Sequence, residues 1–310
     1  MSITLRQLRY FQALAEQRNF RRAAESVHVS QPALSVQIKE LEATLGGPLV
    51  ERQARDVLLT PFGRRILQQA TKVLDGVRVL EESARWKSGL SGHLTLGVIP
   101  TIAPYLLPGV LAALRSDDIQ LDVQVQEGKT HRLLEALKAG QIDAAVLALP
   151  TSETGLVEEP LFEDRFLLAG SQARLKALGN PETLRPTELR PTQLLLLEDG
   201  HCLTDQALEV CGQPPDAQGQ INMGASSLAT LTRLVAAGFG LTLMPEMAAI
   251  SERQAAPDMH LMRFAAPEPA RMIGLVRRAS SVDDGWFSDL VAVLRQTGRE
   301  LIHSSREANG

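Results

Sequence analysis

Two short helices joined by a tight turn, within residues 20–45, restrict the fold of this 310-residue chain more than any other segment. FRRAAESVHV predicts the first helix, and its small Ala23 and Ala24 allow a second helix to approach closely. The second helix, PALSVQIKELEATL, has Ser30 as its N-cap, Pro32 in its first turn and a Gly-Gly pair after its end. This spacing indicates a helix-turn-helix, with a small bundle of ordinary capped helices as the alternative.

The first turns of the second helix carry side chains that suit the major groove of DNA. Hydroxyl, amide and small apolar groups there meet base edges or thymine methyl groups, and nearby basic side chains neutralise phosphates. LVERQARDVLLT then predicts two brief strands around a polar turn, which form a β-wing. The predicted DNA-contacting residues are Arg21, Arg22, Ser30, Gln31, Pro32, Ala33, Ser35, Gln37, Lys39, Arg52 and Arg55.

A long helix is predicted from Pro61 to about Lys87, with Thr60 as its cap. Its apolar residues alternate spacings of four and three, which is the heptad pattern of a coiled coil. They are Ile66, Ala70, Val73, Val77, Leu80 and Ala84. The pattern indicates either packing within one domain or pairing of two chains, and pairing suits a protein with two DNA-reading heads.

The charge is unevenly distributed along the chain. Residues 1–90 contain 14 Lys and Arg against 9 Asp and Glu, a net charge of +5, whereas the remaining residues have a net charge of −9. A basic N-terminal segment favours contact with a polyanion. The sequence has no run of about 18 apolar residues and no signal-peptide pattern, so we expect a cytoplasmic protein with no membrane partner.

After GLSGH at residues 89–93, strand and helix patterns alternate. HLTLGVI, IQLDVQVQE and IDAAVLAL predict strands, and the helices between them imply a parallel sheet with right-handed crossovers. EDRFLLAGS, LLLLEDG and LTLMP predict a second set of elements, and MIGLVRR with the helix after it predicts a return to the first set. Two α/β lobes of this kind form a cleft at the carboxyl ends of strands, and Thr101 follows the first strand.

The whole chain resembles the LysR-type transcriptional regulators, and FRRAAESVHVSQPALSVQIKELEATLGGPLVER resembles their winged helix-turn-helix. The resemblance implies an α/β fold class: a winged helix-turn-helix, a linker helix and a two-lobed, periplasmic-binding-protein-like effector domain. The predicted boundaries are 1–60 for the DNA-binding domain, 61–88 for the dimerisation helix and 89–310 for the effector domain. Within the last, we assign lobe I to about 91–163 and 268–302, and lobe II to about 164–267.

The only two cysteines, Cys202 and Cys211, lie in EDGHCLTDQALEVC. Their C-x8-C spacing lacks the close pairs of zinc sites, so we predict no metal, and two unrelated core cysteines remain the alternative. We expect Thr204 or Asp205 to cap the following helix, which places Cys202 at a helix N-terminus that favours its thiolate. Cys211 shares an apolar helical stripe with Ala207 and is expected to be buried.

LLLLEDGHCLTDQALEVC resembles the peroxide-sensing OxyR branch of the family, and so do PTIAPYLLP and PEPARMIGLV. The resemblance implies that hydrogen peroxide oxidises Cys202 and that Cys211 then forms a disulfide with it. It also implies a peroxide pocket of Thr101, His201, Asp205 and Arg271. The branch usually has a basic residue where this chain has Thr204, which bears on the sensitivity of the site.

Nine residues of helix span roughly 13 Å, whereas a disulfide needs Cα atoms within about 7 Å. Oxidation must therefore remodel this segment. The resemblance further implies promoter DNA, further copies of the chain as a dimer of dimers and RNA polymerase as partners, with no cofactor and no enzymatic activity. The alternatives are a LysR-type regulator with a small organic ligand in its cleft, a thiol peroxidase, which would lack the winged head, and a solute-binding transport component.

Overall fold

The computed structural model divides the chain into two compact units, Met1–Ala84 and Arg85–Gly310. Each unit has a hydrophobic core of its own. No helix in the described part of the chain is long and apolar enough to cross a membrane. The structure describes residues 2–52, 57–85, 90, 93–117, 121–179, 183–198, 200–213, 225–281, 283 and 285–309.

The N-terminal unit is a winged helix-turn-helix followed by one long helix, as predicted. Its elements are α1 (Leu5–Gln17), α2 (Phe20–Ser26), α3 (Gln31–Leu45), β1 (Val50–Arg52), β2 (Val57–Leu59) and α4 (Pro61–Arg85). Ser30 caps α3 by accepting a hydrogen bond from the Ala33 N–H at 3.3 Å. The apolar spacing of LRQLRYFQALAEQ predicts an inward Leu5, but the buried side chains of α1 include Leu8, Phe11 and Leu14, whereas Leu5 is 42% exposed. The buried stripe starts later than predicted because residues 4–6 lie at the surface.

The second unit is built on a seven-stranded mixed sheet with strand order β4-β3-β5-β9-β6-β7, in which β8 also pairs with β6. The first three strands of this path are parallel, as predicted, and β9 returns antiparallel to β5. The strands are β3 (His93–Val98), β4 (Asp122–Glu127), β5 (Ala144–Leu149), β6 (Leu156–Ser171), β7 (Thr242–Pro245), β8 (Met259–Met262) and β9 (Ala270–Arg278). The helices are α5 (Ala103–Asp117), α6 (Thr130–Lys138), α7 (Gln172–Ala177), α8 (Cys202–Val210), α9 (Leu228–Ala236), α10 (Ala249–Ala255) and α11 (Trp286–Asn309).

Strands β6 and β9 connect the two lobes of this unit. One stretch of β6 pairs with β9, and the next stretch pairs with β7 and β8. One core contains β3, β5 and the start of α11, and the other contains α8, α9 and β7. In the β6–β9 ladder, Asp164 lies directly opposite Arg271.

Three sequence predictions for this unit need correction. LLLLEDG does not form a regular strand and makes only isolated bridges, at Leu194 and Leu197. Its leucines are apolar because they pack in the lobe II core. The helix after it begins at Cys202, with His201 at the N-cap position, so neither Thr204 nor Asp205 is the cap. The closing helix α11 continues to Asn309, because Ile302 and Ser305 remain buried against the unit.

Candidate functional site

The Arg271 guanidinium is the centre of a buried polar group. Its Nε and Nη2 lie 3.0 and 2.9 Å from Asp164 Oδ2, and its Nη1 donates to Thr101 Oγ1 at 3.2 Å. Its Nη2 also approaches the Met247 sulfur at 3.9 Å. The side chains of Arg271 and Asp164 are 1% and 0% exposed, so this ion pair is shielded from water.

A narrow crevice of about 160 Å³ lies beside Thr101. Three chain segments form it: the end of β3, the start of α6 and the start of α8. Its walls are Ile99, Pro100, Thr101, Lys129, Thr130, Gly200, His201 and Cys202. Arg271 does not line the crevice directly and reaches it through the Thr101 hydroxyl. The crevice is narrower than a water molecule in this state, so a small molecule has to widen it to enter.

Cys202 is the first residue of α8, and its sulfur belongs to the crevice wall. Part of the residue reaches solvent, but the thiol itself is largely enclosed by protein. Burial raises the pKa of the Cys202 thiol, while the Arg271 cation and the Thr130 hydroxyl act in the opposite direction. The prediction that the surroundings favour the thiolate is therefore wrong, because desolvation by the surrounding protein is the largest influence on the pKa of this thiol and exceeds that of the Arg271 cation.

The other two predicted pocket residues occupy different environments. His201 is buried in the crevice wall, and burial together with the Lys129 cation lowers the pKa of its imidazole. The lowered pKa favours the neutral imidazole at pH 7, in which one ring nitrogen donates a hydrogen bond and the other accepts one. Asp205 is exposed in the first turn of α8, is not one of the lining residues of the crevice, and raises the pKa of Cys202.

Cys211 follows the last residue of α8 and is 1% exposed. Burial raises the pKa of its thiol to about 11. The side chain belongs to the lobe II core together with Ala207, whereas Cys202 packs against the lobe I core. Both thiols are free. The two ends of one nine-residue helix thus belong to two separate cores, which hold the cysteines apart.

Nine of the eleven predicted DNA-contacting residues lie on α2, on α3 or at the N-cap of α3. Gln37 donates to Glu40 at 2.8 Å, and Arg21 is paired with Glu25 at 2.9 Å. Arg55 lies outside the described residues, as does the side chain of Arg52 in β1. Ser35 is partly buried. The exposed members of the predicted set are Arg21, Arg22, Ser30, Gln31, Pro32, Ala33 and Lys39.

Both units match known families over most of their length. Residues 5–64 match the domain described as "Bacterial regulatory helix-turn-helix protein, lysR family", and residues 87–299 match the "LysR substrate binding domain". The chain belongs to the LysR family.

Two curated relatives place this LysR-family chain near the OxyR branch. It is 42% identical over 299 residues to a "Probable hydrogen peroxide-inducible genes activator" of Streptomyces viridosporus, with coverage of 96% of this chain and 95% of that protein. It is also 42% identical over 294 residues to the "DNA-binding transcriptional dual regulator OxyR" of Escherichia coli (strain K12), with 94% and 95% covered. The resemblance predicted from the sequence is confirmed.

Solved structures of LysR-family proteins lead to the same branch. A cysteine-to-serine mutant of Corynebacterium glutamicum OxyR with hydrogen peroxide bound has a TM-score of 0.67 and 34% identity, covering 99% of this chain and 96% of that one. The oxidized form of the same protein has a TM-score of 0.61 and 35% identity, with 99% and 96% covered. Oxidized and peroxide-bound relatives therefore share the fold of this LysR-family chain.

Three residues of this LysR-family chain were missed by reasoning from the sequence. Thr130 has a buried hydroxyl that forms no well-directed hydrogen bond within the described residues, yet it lies close enough to lower the pKa of Cys202. Asp164 pairs with Arg271 from 107 positions away. Val36 is 52% exposed on α3, one turn after Ala33. Of the three, only Val36 could have been noticed in the sequence, because it is an apolar residue between the predicted DNA-contacting residues Ser35 and Gln37.

Proposed function

We propose that this LysR-family protein is a hydrogen-peroxide-sensing transcriptional regulator of oxidative-stress genes, with Cys202 as its sensing thiol. The observation that carries the proposal is the crevice lined by Cys202 and Thr101, with the buried Arg271 bonded to the Thr101 hydroxyl behind it, although the three residues are distant in the chain. Hydrogen peroxide is small and polar, and a narrow site rich in hydrogen-bond donors suits it. An organic effector would need a larger apolar volume.

The first step is the transfer of one oxygen atom. The sulfur of Cys202 in its thiolate form attacks one peroxide oxygen, the O–O bond breaks, and a sulfenic acid forms. The leaving hydroxide takes up a proton and departs as water. The Thr101 hydroxyl accepts a hydrogen bond from Arg271 Nη1 at 3.2 Å and can donate its own proton to the oxygen that gains negative charge. His201 supplies a further hydrogen bond from the opposite wall, and we assign Asp205 to the outer rim of this pocket.

The second step joins the two cysteines. The Cys211 sulfur attacks the Cys202 sulfenic acid, a disulfide forms, and water leaves. Cys211 sits after the end of α8 in a different core, so α8 has to unwind before the two sulfurs meet. The high pKa of Cys211 keeps it a quiet thiol until that rearrangement exposes it.

The third step is the response at DNA. The remodelled α8 segment changes the lobe surfaces that meet in an assembly of several chains, and this shift respaces the DNA-binding heads. The DNA contacts are those predicted on α2, α3 and the β-wing. We propose a dimer of dimers in the cytoplasm that acts on promoter DNA as activator or repressor with RNA polymerase. Because each chain reacts once per oxidation cycle, it is a sensor and not an enzyme.

The test is thiol mapping after controlled oxidation. The fully reduced protein receives slightly more than one equivalent of hydrogen peroxide, is quenched, and is mapped by peptide mass spectrometry. We expect a Cys202–Cys211 disulfide in the protein, a stable sulfenic acid at Cys202 in Cys211→Ser, and no oxidation of Cys211 in Cys202→Ser. Two free thiols in the treated protein would remove peroxide sensing and leave a LysR-family regulator of a small organic ligand.

A further inference from the structure

Asp164 is the most deeply buried charged partner of the redox site. It lies opposite Arg271 in the β6–β9 ladder, where the two lobes join, and both of its oxygens are engaged. Oδ2 accepts from the guanidinium at 2.9 and 3.0 Å, and Oδ1 accepts from the Met247 backbone N–H at 3.0 Å. Neither oxygen is left to bind a ligand, so the role of this carboxylate must act through Arg271.

We propose that Asp164 determines the selectivity of the sensing thiol: it orients Arg271 for peroxide and cancels the charge that would otherwise make Cys202 reactive toward any electrophile. The inference rests on the proposed function of Cys202. Asp164 is a positioning residue, because it contacts neither the crevice nor the reacting sulfur.

The role of Asp164 in orienting Arg271 follows from which partner each guanidinium nitrogen contacts. Asp164 takes the edge formed by Nε and Nη2, and the Met247 sulfur contacts the same Nη2. This arrangement directs Nη1 toward the Thr101 hydroxyl at the crevice. A guanidinium is planar with fixed donor directions, so holding one edge fixes the direction of the remaining donors.

The electrostatic part concerns the charge that reaches Cys202. A guanidinium is a cation with donors only, and a carboxylate whose two oxygens both accept hydrogen bonds from N–H groups is in its ionised form. Burial raises the pKa of Asp164, whereas Arg271 and the Met247 N–H lower it. An ion pair in close contact has no net charge, so its effect falls off faster with distance than that of a lone cation. The ion pair does not weaken the hydrogen bond that Arg271 Nη1 donates to the Thr101 hydroxyl, because that bond acts at short range.

The remaining charged and polar groups around Cys202 act on its thiol in opposite directions. Asp205 raises the pKa of the thiol, the Thr130 hydroxyl lowers it, and the neighbouring His201 is neutral. Lys129 also lines the crevice. Because burial is the largest influence, Cys202 rests as a thiol. A general electrophile requires the thiolate, whereas peroxide also gains from a hydrogen-bond donor at its leaving oxygen, and the Thr101 hydroxyl held by Arg271 supplies that donor.

The test compares two reactions of the same thiol in the full-length protein with Cys211→Ser, so that Cys202 is the only cysteine. The second-order rates of Cys202 with hydrogen peroxide and with iodoacetamide are measured at pH 7 with and without Asp164→Asn. We expect the peroxide rate to fall at least about tenfold and the iodoacetamide rate to rise at least about fivefold, since one pKa unit is a tenfold change in thiolate. Rates that move in the same direction would overturn the proposal.

Glu163→Gln is the matched control. It removes a carboxylate from the adjacent position of β6, where the side chain is 52% exposed and paired with Arg165. Both rates should stay within about twofold of the parent. If the parent itself reacts no faster with peroxide than a free thiol does, the proposed function fails. If the parent reacts faster than a free thiol, but Asp164→Asn does not move its peroxide and iodoacetamide rates in opposite directions, only the selectivity proposal fails.

A second variant keeps the proposal testable if an unpaired Arg271 prevents folding. Asp164→Asn with Arg271→Gln removes both charges and retains polar side chains of similar size. The iodoacetamide rate should stay within about twofold of the parent, because the net charge is unchanged, while the peroxide rate falls at least about tenfold. A large change in the iodoacetamide rate of this double variant would contradict charge cancellation.

Discussion

Arg271 shares its guanidinium among partners from three distant parts of the chain: Thr101, Asp164 and Met247. Removing one partner of a buried ion pair typically costs about 3–5 kcal/mol, because the other charge is left without compensation. This arrangement lies behind the crevice that Cys202 lines. At the level of single residues, chemistry and packing therefore depend on the same contacts.

Thr204 takes the place of a basic residue in this branch, and the structure gives it a different task. Its side chain is buried, and its hydroxyl donates to the Leu197 carbonyl at 3.0 Å. This bond joins the first turn of α8 to the preceding segment. The hydroxyl therefore stabilises α8 as it stands, and the proposed mechanism requires this helix to unwind during oxidation.

We predict that Thr204→Val lowers the stability of the reduced protein and speeds its oxidation. The variant leaves the Leu197 carbonyl without its side-chain partner, so urea unfolding of the reduced form should show a loss of about 1 kcal/mol. The same energy is saved when α8 unwinds, so the disulfide step in quenched-flow thiol mapping should be about fivefold faster. Thr71→Val removes an equivalent hydroxyl bond in α4. A similar acceleration in this control would contradict the role assigned to Thr204.

Among the helices, α4 divides its apolar residues between two tasks. Ala70 and Leu74 are buried in the core of the N-terminal unit, whereas Val73 and Leu80 are 48% and 71% exposed one heptad apart. The predicted heptad pattern is thus only partly used within one chain. The exposed part continues the seam along the same face and is available to a second copy.

We predict that Leu80→Lys weakens self-association without unfolding the chain. The residue is 71% exposed, so the melting temperature of each unit should change by less than about 2 °C. A charge at an apolar seam opposes pairing, so light scattering at micromolar concentration should show a smaller species than the parent. Gln68→Lys adds the same charge to an exposed position on the opposite face. Equal loss of mass in both variants, or in neither, would remove α4 as the pairing surface.

The molecule consists of two units with separate cores and opposite net charge. The basic residues concentrate toward the N-terminus, and the redox site lies entirely within Arg85–Gly310. Reaction with peroxide and contact with DNA are therefore located in different units.

We predict that a fragment of residues 85–310 folds alone and keeps its thiol chemistry. All described contacts of Arg271, Thr101 and Cys202 lie inside it, so the rate of Cys202 oxidation should remain within about threefold of the full chain. The fragment should bind duplex DNA no better than an acidic protein does, as measured by fluorescence anisotropy. A folded fragment with a rate more than about tenfold lower would show that the N-terminal unit shapes the redox site.

The sequence determined the elements that depend on local patterns. Ser30 and Pro32 mark the start of α3 because capping and a fixed φ act over a few residues. The alternating strands and helices imply the parallel β4-β3-β5 arrangement because crossover connections leave few choices. The family resemblance, and the two cysteines of the site, were likewise visible in short motifs.

Only the tertiary structure decided which residues surround Cys202 and how they shift the pKa of its thiol. Asp164 and Arg271 meet across 107 positions because β6 and β9 pair where the lobes join, and no local pattern specifies that register. The start of α8 at Cys202 and the raised pKa of its thiol depend on burial by other segments. Helix caps and strand patterns depend on residues that are neighbours in the sequence. The pKa of a buried group depends on the burial and the charges that folding brings around it from the whole chain.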